Sequence, residues 1–507
     1  MAVVDFLFTP WTPAVLVLLY YIIPYFTTYS SLRGIPAPSL ASFTNLWLLL
    51  QCRQGKRWLS VDQAHKKLGT LVRIQPDHVS IASASAIPII YGHGNGFLKS
   101  NYYDVFVSIH RGLFNTRDRA EHTRKRKTIS HTFSAKSISQ FEIYMHSNLS
   151  TFVRQWDHLS STALNGGYAK IDCLHWFNYL AFDIIGDLAF GTPFGMLEKG
   201  KDIAEIQKTP DGPITYAPAV EVLNRRGEVS GTLGCLPSLK PHAKWLPDSF
   251  FSKGLAAVED LAGIAVARVS ARLDAEKGDE QRMDLLARLM EGKDENGNKL
   301  GRAELTAEAL TQLIAGSDTT SNTSCALLYW VLKTPGVVQK LQAELDAAIP
   351  SGTEIPQYNQ VKDLKYVQNV INETLRIHST SSLGLPRVVP PSGVSLHGHF
   401  FPCGTVLSVP SYTIHHSKAI WGENADEFVP ERWDGLTEGQ KNAFIPFSYG
   451  PRSCVGRNVA EMELTLIVST VFRRYEFELY QDELRTREGF LRKPLECMIG
   501  LRKRANA

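Results

Sequence analysis

Cys454 stands in Phe447-Ser448-Tyr449-Gly450-Pro451-Arg452-Ser453-Cys454-Val455-Gly456, a glycine-flanked loop that runs into a helix predicted from about Arg457. A thiol beside a helix N-terminus and a guanidinium is favoured as thiolate, and Arg452 is two residues away. The glycines let backbone approach a flat ligand closely. Backbone N–H groups in such a loop can donate to the sulfur and tune its potential. The chemistry on offer is metal ligation by a single thiolate. The alternative is a structural cysteine buried in a turn.

Ala315-Gly316-Ser317-Asp318-Thr319-Thr320 lies inside an otherwise apolar helical stretch. Gly, Asp and consecutive Thr are poor helix formers, and a local conflict of this kind is expected at functional sites. Gly316 removes bulk where a ligand could sit. A Thr hydroxyl can bond back to the preceding turn, and Asp318 with Thr319 could relay protons through water. A kink with satisfied polar groups is the alternative. Glu373-Thr374-Leu375-Arg376 puts opposite charges three apart on one helix face, and Pro430-Glu431-Arg432-Trp433 offers a second guanidinium. A buried Glu373–Arg376–Arg432 set would be structural, because unpaired buried charges are costly.

These residues need a large scaffold. The chain has 507 residues, 44% hydrophobic and 21% charged, with no internal repeat or long linker to split the body. A formal net charge of +4 makes no case for nucleic-acid binding. The densest basic run, Arg124-Lys125-Arg126-Lys127, reads as a solvated helix face or as a docking patch for an acidic partner. Seven cysteines at wide spacing without C-x-x-C argue against a disulfide framework and a structural zinc site.

Periodicity is mostly helical from about Asp118 to Lys333. A long helix over Thr306 to Lys333, capped by Thr306, carries the Gly316–Thr320 cluster, and a helix from near Asp363 carries Glu373 and Arg376. Thr70–Ile74 and His78–Ile81 read as a strand pair. The glycine-rich Gly92-His93-Gly94-Asn95-Gly96 fails the dinucleotide pattern because Phe97 takes the sixth place. The fold class is mainly α with a minor β portion.

No charge occurs between Asp5 and Arg33, and Phe6 to Phe26 is apolar and aromatic. That predicts an N-terminal transmembrane helix, with residues 1–32 as anchor and 33–507 as catalytic domain. A cleaved signal peptide is the rival, but it lacks a basic leading segment. Basic residues after the stretch keep the body cytoplasmic.

In order, A-G-x-D-T-T, E-x-x-R, P-E-R-W and F-x-x-G-x-R-x-C-x-G resemble the cytochrome P450 superfamily, and the apolar N-terminus with Pro36 and Pro38 looks like its microsomal type. Ser108–Asp118, Phe177–Asp187, Thr320–Ser324 and Arg487–Leu495 look, more narrowly, like the fungal benzoate 4-monooxygenases. The resemblance implies haem b with Cys454 as proximal ligand and Phe447 packed beside it. It makes Asp318 and Thr319 the catalytic proton-handling pair, and His122, Arg126, Arg387 and Arg452 the contacts to the haem propionates. Glu373, Arg376 and Arg432 would lock the core on the thiolate side. It further implies para-hydroxylation of benzoate with O2, two electrons from an NADPH-dependent reductase, and the endoplasmic reticulum membrane. Tyr102 and Ser317 are substrate candidates by position, with Lys99–Tyr103 and Ser381-Ser382 nearby. Another small aromatic acid or phenol as substrate, or a non-catalytic haem-binding membrane protein, are the alternative readings.

Overall fold

The computed structural model describes residues 12–275, 284–294 and 296–505. The part of the expected anchor before Thr12 lies outside the described residues. Helix α1 (Thr12–Phe26) is fifteen residues long, and no described helix is long and apolar enough to cross a membrane. Leu16 to Tyr20 are exposed, while Tyr25 at the far end packs on Phe43 at 4.5 Å.

The body is mainly helical. Helices α2 (Arg119–Ser130), α3 (Cys173–Phe190), α4 (Ala219–Leu233), α5 (Ser249–Ala275), α6 (Arg302–Lys333), α7 (Lys365–Ile377) and α8 (Arg457–Arg474) carry the residues of interest. The 32-residue α6 runs through the centre. It begins a turn earlier than the sequence predicts. Gly301 is its N-cap and Glu304 sits in its first turn, so Thr306 is not the cap. Its hydroxyl bonds back to the Arg302 carbonyl at 2.7 Å, as Thr does inside a helix.

Gly316 also has a different task from the expected one. A Cβ there would lie 2.7 Å from Cδ1 of Ile185 in α3. The missing side chain brings α3 and α6 together, and makes no room for a ligand. α6 continues unbroken through Thr319 and Thr320, with the hydroxyls of Ser317 and Thr319 returned to carbonyls of their own helix.

A five-stranded sheet flanks the helices. It comprises β1 (Leu71–Gln75), β2 (His78–Ile81), β3 (Leu98–Lys99), β4 (Arg387–Val388) and β5 (Val406–Ser408). The order is β1-β2-β5-β4-β3, with the predicted pair β1–β2 antiparallel. Lys99 pairs with Arg387 in this sheet, which delivers two cations to one edge. Near the C-terminus, β6 (Thr486–Glu488) and β7 (Arg492–Pro494) form a hairpin. Its turn presses on α4: a Cβ on Gly231 would meet the Gly489 carbonyl oxygen at 2.7 Å.

Candidate haem-thiolate site

The Cys454 loop is shaped by its own backbone. The Cys454 N–H donates to the Phe447 carbonyl at 2.9 Å and the Ser453 N–H to Gly450 O at 3.0 Å. Gly450 has φ +70°, and a Cβ would fall 1.9 Å from the Tyr91 carbonyl oxygen; only glycine fits there. Phe447 thus holds the cysteine through its carbonyl, while its ring lies under the Arg457 guanidinium at 5.5 Å.

Cys454 and Cys403 are the exposed cysteines; the other five are buried. Ala315 in the middle of α6 is also exposed and Thr319 partly so. Residues 315 and 319 are one turn apart and share a face, and we assign this accessible face of α6 and the accessible Cys454 loop as the two sides of one slot. Burial pushes the Cys454 thiol up. The Gly456 N–H, Arg126 and Arg457 pull it back down, in that order. Arg452 is not among the cations acting on the sulfur. It turns away, donating to the carbonyls of Thr116 at 2.6 Å, Arg117 at 3.2 Å and Asp118 at 3.3 Å. The sequence argument that Arg452 favours the thiolate is therefore corrected: Arg126, which donates to Ser453 O at 2.5 Å, has that place. The positive charge of a bound metal would complete the deprotonation.

Arg126, Arg387, Arg452 and Lys99 gather with His122. Burial first, then Arg452, Lys99, Arg126 and Arg387, depress His122 to about 3, so it is a neutral donor or acceptor at pH 7. Lys99 is driven well below the usual lysine range by burial and by the same three arginines. It donates to Phe114 O and lies over the Tyr103 and Phe114 rings. Arg387 donates to the Tyr103 hydroxyl at 3.0 Å. Among the described residues, none of these four cations forms an ion pair with a carboxylate. A desolvated cationic cluster without a counter-charge fits an anionic ligand, and the two propionates of haem suit it. The Gly92–Gly96 segment, rejected as a nucleotide loop, lines a cavity with His122, Arg387 and Arg452. Lys99 was placed by sequence near the substrate, but the sheet register puts it in this cluster.

Asp318 lies on the flank of the accessible face of α6, about 60° around the helix from Ala315 and about 100° from Thr319. Its Oδ1 lies 2.7 Å from Lys493 Nζ and accepts from Asn322 Nδ2 at 3.0 Å. The Thr319 hydroxyl donates to Ala315 O at 2.9 Å. A surface cavity lined by Asn178, Tyr179, Asn224, Glu228 and Lys493 opens beside the Asp318–Lys493 pair. Nothing local in the sequence marks Lys493 for its pairing with Asp318.

Glu373, Arg376 and Arg432 do come together. Arg376 is bidentate to Glu373 at 2.8 and 2.9 Å, and Arg432 Nε lies 3.3 Å from Glu373 Oε1. Trp433 Nε1 and the Val429 N–H fill the remaining acceptor positions. Arg376 also donates to the carbonyls of His415, Ala425 and Glu427. Every member is satisfied, which is the condition for burying such a set.

The two substrate candidates part company. Ser317 is fully buried and donates to Leu313 O at 2.7 Å. It lies about 200° around the helix from both Ala315 and Thr319, so it does not face the slot. Tyr102 lines a cavity with Asn45, Arg57, Ser382 and Gly384; neither Thr319 nor Cys454 lines it. The run Arg124–Lys127 is not a free basic patch. Arg124 and Lys125 pair with Glu304, Lys125 also with Glu308 at 3.1 Å, and Arg126 serves the cysteine loop. Cys173, Cys325 and Cys497 cluster with sulfurs within 4.8 Å. That spacing suits a small ion, but the three are wholly enclosed in the main core and leave Cys454 as the thiol with access for a flat macrocycle.

The cytochrome P450 family profile matches residues 36–501. A benzoate 4-monooxygenase of Aspergillus niger is 66% identical over 497 residues, covering 96% of each chain. A cytochrome P450 monooxygenase of Penicillium roqueforti is 32% identical over 90% of this chain and 92% of its own, and one of Aspergillus terreus is 30% identical over the same shares. With a profile match over nearly the whole chain and an accessible thiol facing a cluster of uncompensated cations, this chain belongs to the cytochrome P450 family.

Proposed function

We propose that the chain is a benzoate 4-monooxygenase, which hydroxylates benzoate at the para position with O2 and two electrons from an NADPH-dependent reductase. The observation that carries this is the 66% identity, spread over 96% of both chains, to the Aspergillus niger benzoate 4-monooxygenase. Haem held by Cys454 supplies oxygen activation, the thiolate favouring O–O cleavage. The chain supplies the rest. Arg126, Arg387, Arg452 and His122 seat the propionates. Thr319 presents a hydroxyl at the accessible face of α6, and its bond to Ala315 O can be exchanged for a donor or acceptor role towards the slot. Asp318, the residue before it, is paired with Lys493, which lines a cavity open to the surface, and in this reading it resupplies protons from there. The Glu373–Arg376–Arg432 lock keeps the thiolate side rigid.

Residues 1–32 form the membrane anchor of this reading and 33–507 the catalytic domain, on the cytoplasmic face of the endoplasmic reticulum. The charge-free run from Phe6 to Phe26 and the exposed apolar residues of α1 support it. Full-length chain is expected to resist alkaline carbonate extraction from membranes, and a chain lacking residues 1–32 to be released. Release of both would end the anchor reading.

The functional test is a benzoate titration of the ferric protein followed in the Soret band, then product analysis with reductase and NADPH. A saturable shift towards high spin and formation of 4-hydroxybenzoate are expected. A normal haem-thiolate spectrum with no benzoate response would leave a monooxygenase of another substrate.

A further inference from the structure

Benzoate carries a negative charge into an apolar interior, and an anion is buried stably only against donors or a cation. Among the described residues, each buried arginine but one has a close partner or a place in the propionate cluster. Arg57 pairs with Glu488 at 3.3 Å, and Arg376 with Glu373. Arg73 donates to the carbonyls of Pro76 and Leu32. Arg473 meets Asp346. Arg492 lies between Trp58 and Tyr412 and feels Glu488. Arg387 belongs to the propionate cluster.

Arg226, in α4, is the exception. It is buried, yet its one hydrogen bond among the described residues runs from Nη2 to Phe106 O at 3.5 Å, the outer limit for such a bond. It forms no ion pair there. Asp318 is the carboxylate whose field it feels most, followed by the Tyr102 hydroxyl, and burial still depresses it to about 10. Asp318 is already neutralised by Lys493. Lys493 in turn bonds Asn224 Oδ1, two residues from Arg226 on the same helix, at 2.5 Å. Asp318, Lys493 and Arg226 together therefore hold one positive charge in excess, which matches one carboxylate.

The surroundings suit a benzene ring. The Arg226 guanidinium lies 5.1 Å from the centre of the Phe106 ring. Phe106, Phe114 and Phe490 meet edge to face in a triangle with centroid separations of 5.0, 5.2 and 5.6 Å. Phe490 comes from the β6–β7 turn that packs directly on α4. Phe114 lies under Lys99, so the aromatic triangle spans from Arg226 to the haem-carboxylate cluster. At one end of this aromatic cluster stands a cation without an ion pair, and at the other the cations assigned to the haem carboxylates.

We propose that Arg226 binds the substrate carboxylate and is the residue that selects an aromatic acid over a neutral aromatic. Bidentate pairing of a guanidinium with the carboxylate would orient the ring with the para carbon farthest from α4. This inference rests on the benzoate reading above.

The test compares benzoate with benzamide, an uncharged molecule of nearly the same shape, in Soret titrations of the haem-loaded full chain. Arg226→Gln is expected to raise the benzoate Kd about 30-fold or more, because one partner of a buried charge pair is lost. Its benzamide Kd should stay within about threefold. Arg226→Lys keeps the charge but not the planar fork, and should recover part of the benzoate affinity. If Arg226→Gln fails to incorporate haem, Arg226→Lys decides alone: weakened benzoate with unchanged benzamide supports the assignment. Unchanged benzoate affinity in either variant, or equal loss of both ligands, would overturn it. A wild-type protein that binds benzamide but never benzoate would instead sink the benzoate reading itself.

Discussion

Lys493 Nζ lies 2.7 Å from Asp318 Oδ1, joining the β6–β7 hairpin to the middle of α6. Both side chains are largely buried, and Lys493 lines a cavity that opens to the surface. The carboxylate next to Thr319 in sequence is thus held on the flank of its helix by a cation. If Asp318 handles protons as proposed, Asp318→Asn is expected to lower 4-hydroxybenzoate formation by about 100-fold, in the range of general acid–base contributions. The benzoate-induced Soret shift should remain. Lys493→Met should cause a smaller loss, and the double variant should be no worse than Asp318→Asn, because the lysine then has nothing to hold. Losses that multiply would show the two residues acting independently.

Glu373 is completely buried and serves two guanidinium groups at once. Glu373→Gln leaves Arg376 and Arg432 with carbonyl acceptors but no counter-charge. Breaking one partner of a buried ionic set costs about 3–5 kcal/mol. A lower thermal midpoint and poor haem incorporation are expected, and calorimetry with haem quantification checks both. A variant with wild-type melting and haem content would show that the triad does not lock the core.

The parts of the site that lie within one element were legible in the sequence. The cysteine loop, the Glu373–Arg376 turn and the Asp318-Thr319 pair each sit inside about ten residues, where spacing determines geometry. What could not be read is rotation and long-range pairing. Ser317 and Gly316 looked like slot residues because they neighbour Thr319 in the chain, yet each residue turns about 100° around the helix, and both face protein. Lys99 joins the arginine cluster only because β3 pairs with β4. Arg226 lies in Asn224-Arg225-Arg226-Gly227-Glu228, which reads as an ordinary polar helix face; its burial depends on the hairpin turn pressing on α4. The pairing of Arg124 and Lys125 with Glu304 of a distant segment is long-range in the same way.

Both Cys454 and Cys403 are exposed thiols, but only Cys454 lies in the loop held by Gly450 and Arg126. Cys454→Ser is expected to abolish the haem-thiolate band of the reduced carbon monoxide complex. Cys403→Ser should leave it intact. Retention of a normal band in Cys454→Ser would displace Cys454 as the ligand.

Glu463 in α8 makes a pH dependence that the chemistry above does not require. It is buried, accepts from the Thr320 hydroxyl at 3.1 Å through Oε2, and among the described residues has no partner for Oε1. Burial raises it from an ordinary 4.5 to about 8, with the Thr320 bond opposing weakly. The folded state therefore keeps a proton that the unfolded chain loses above about pH 4.5. The stability contributed is full below that pH, declines as pH rises, and is gone above about pH 8. A shift of this size corresponds to roughly 4–5 kcal/mol across the window. Glu463→Gln mimics the protonated acid and removes the dependence. Its melting temperature should match the wild type near pH 5 and exceed it increasingly up to pH 8. Parallel melting curves from pH 5 to 8 would mean that Glu463 is ionised throughout and that a cation or water compensates it.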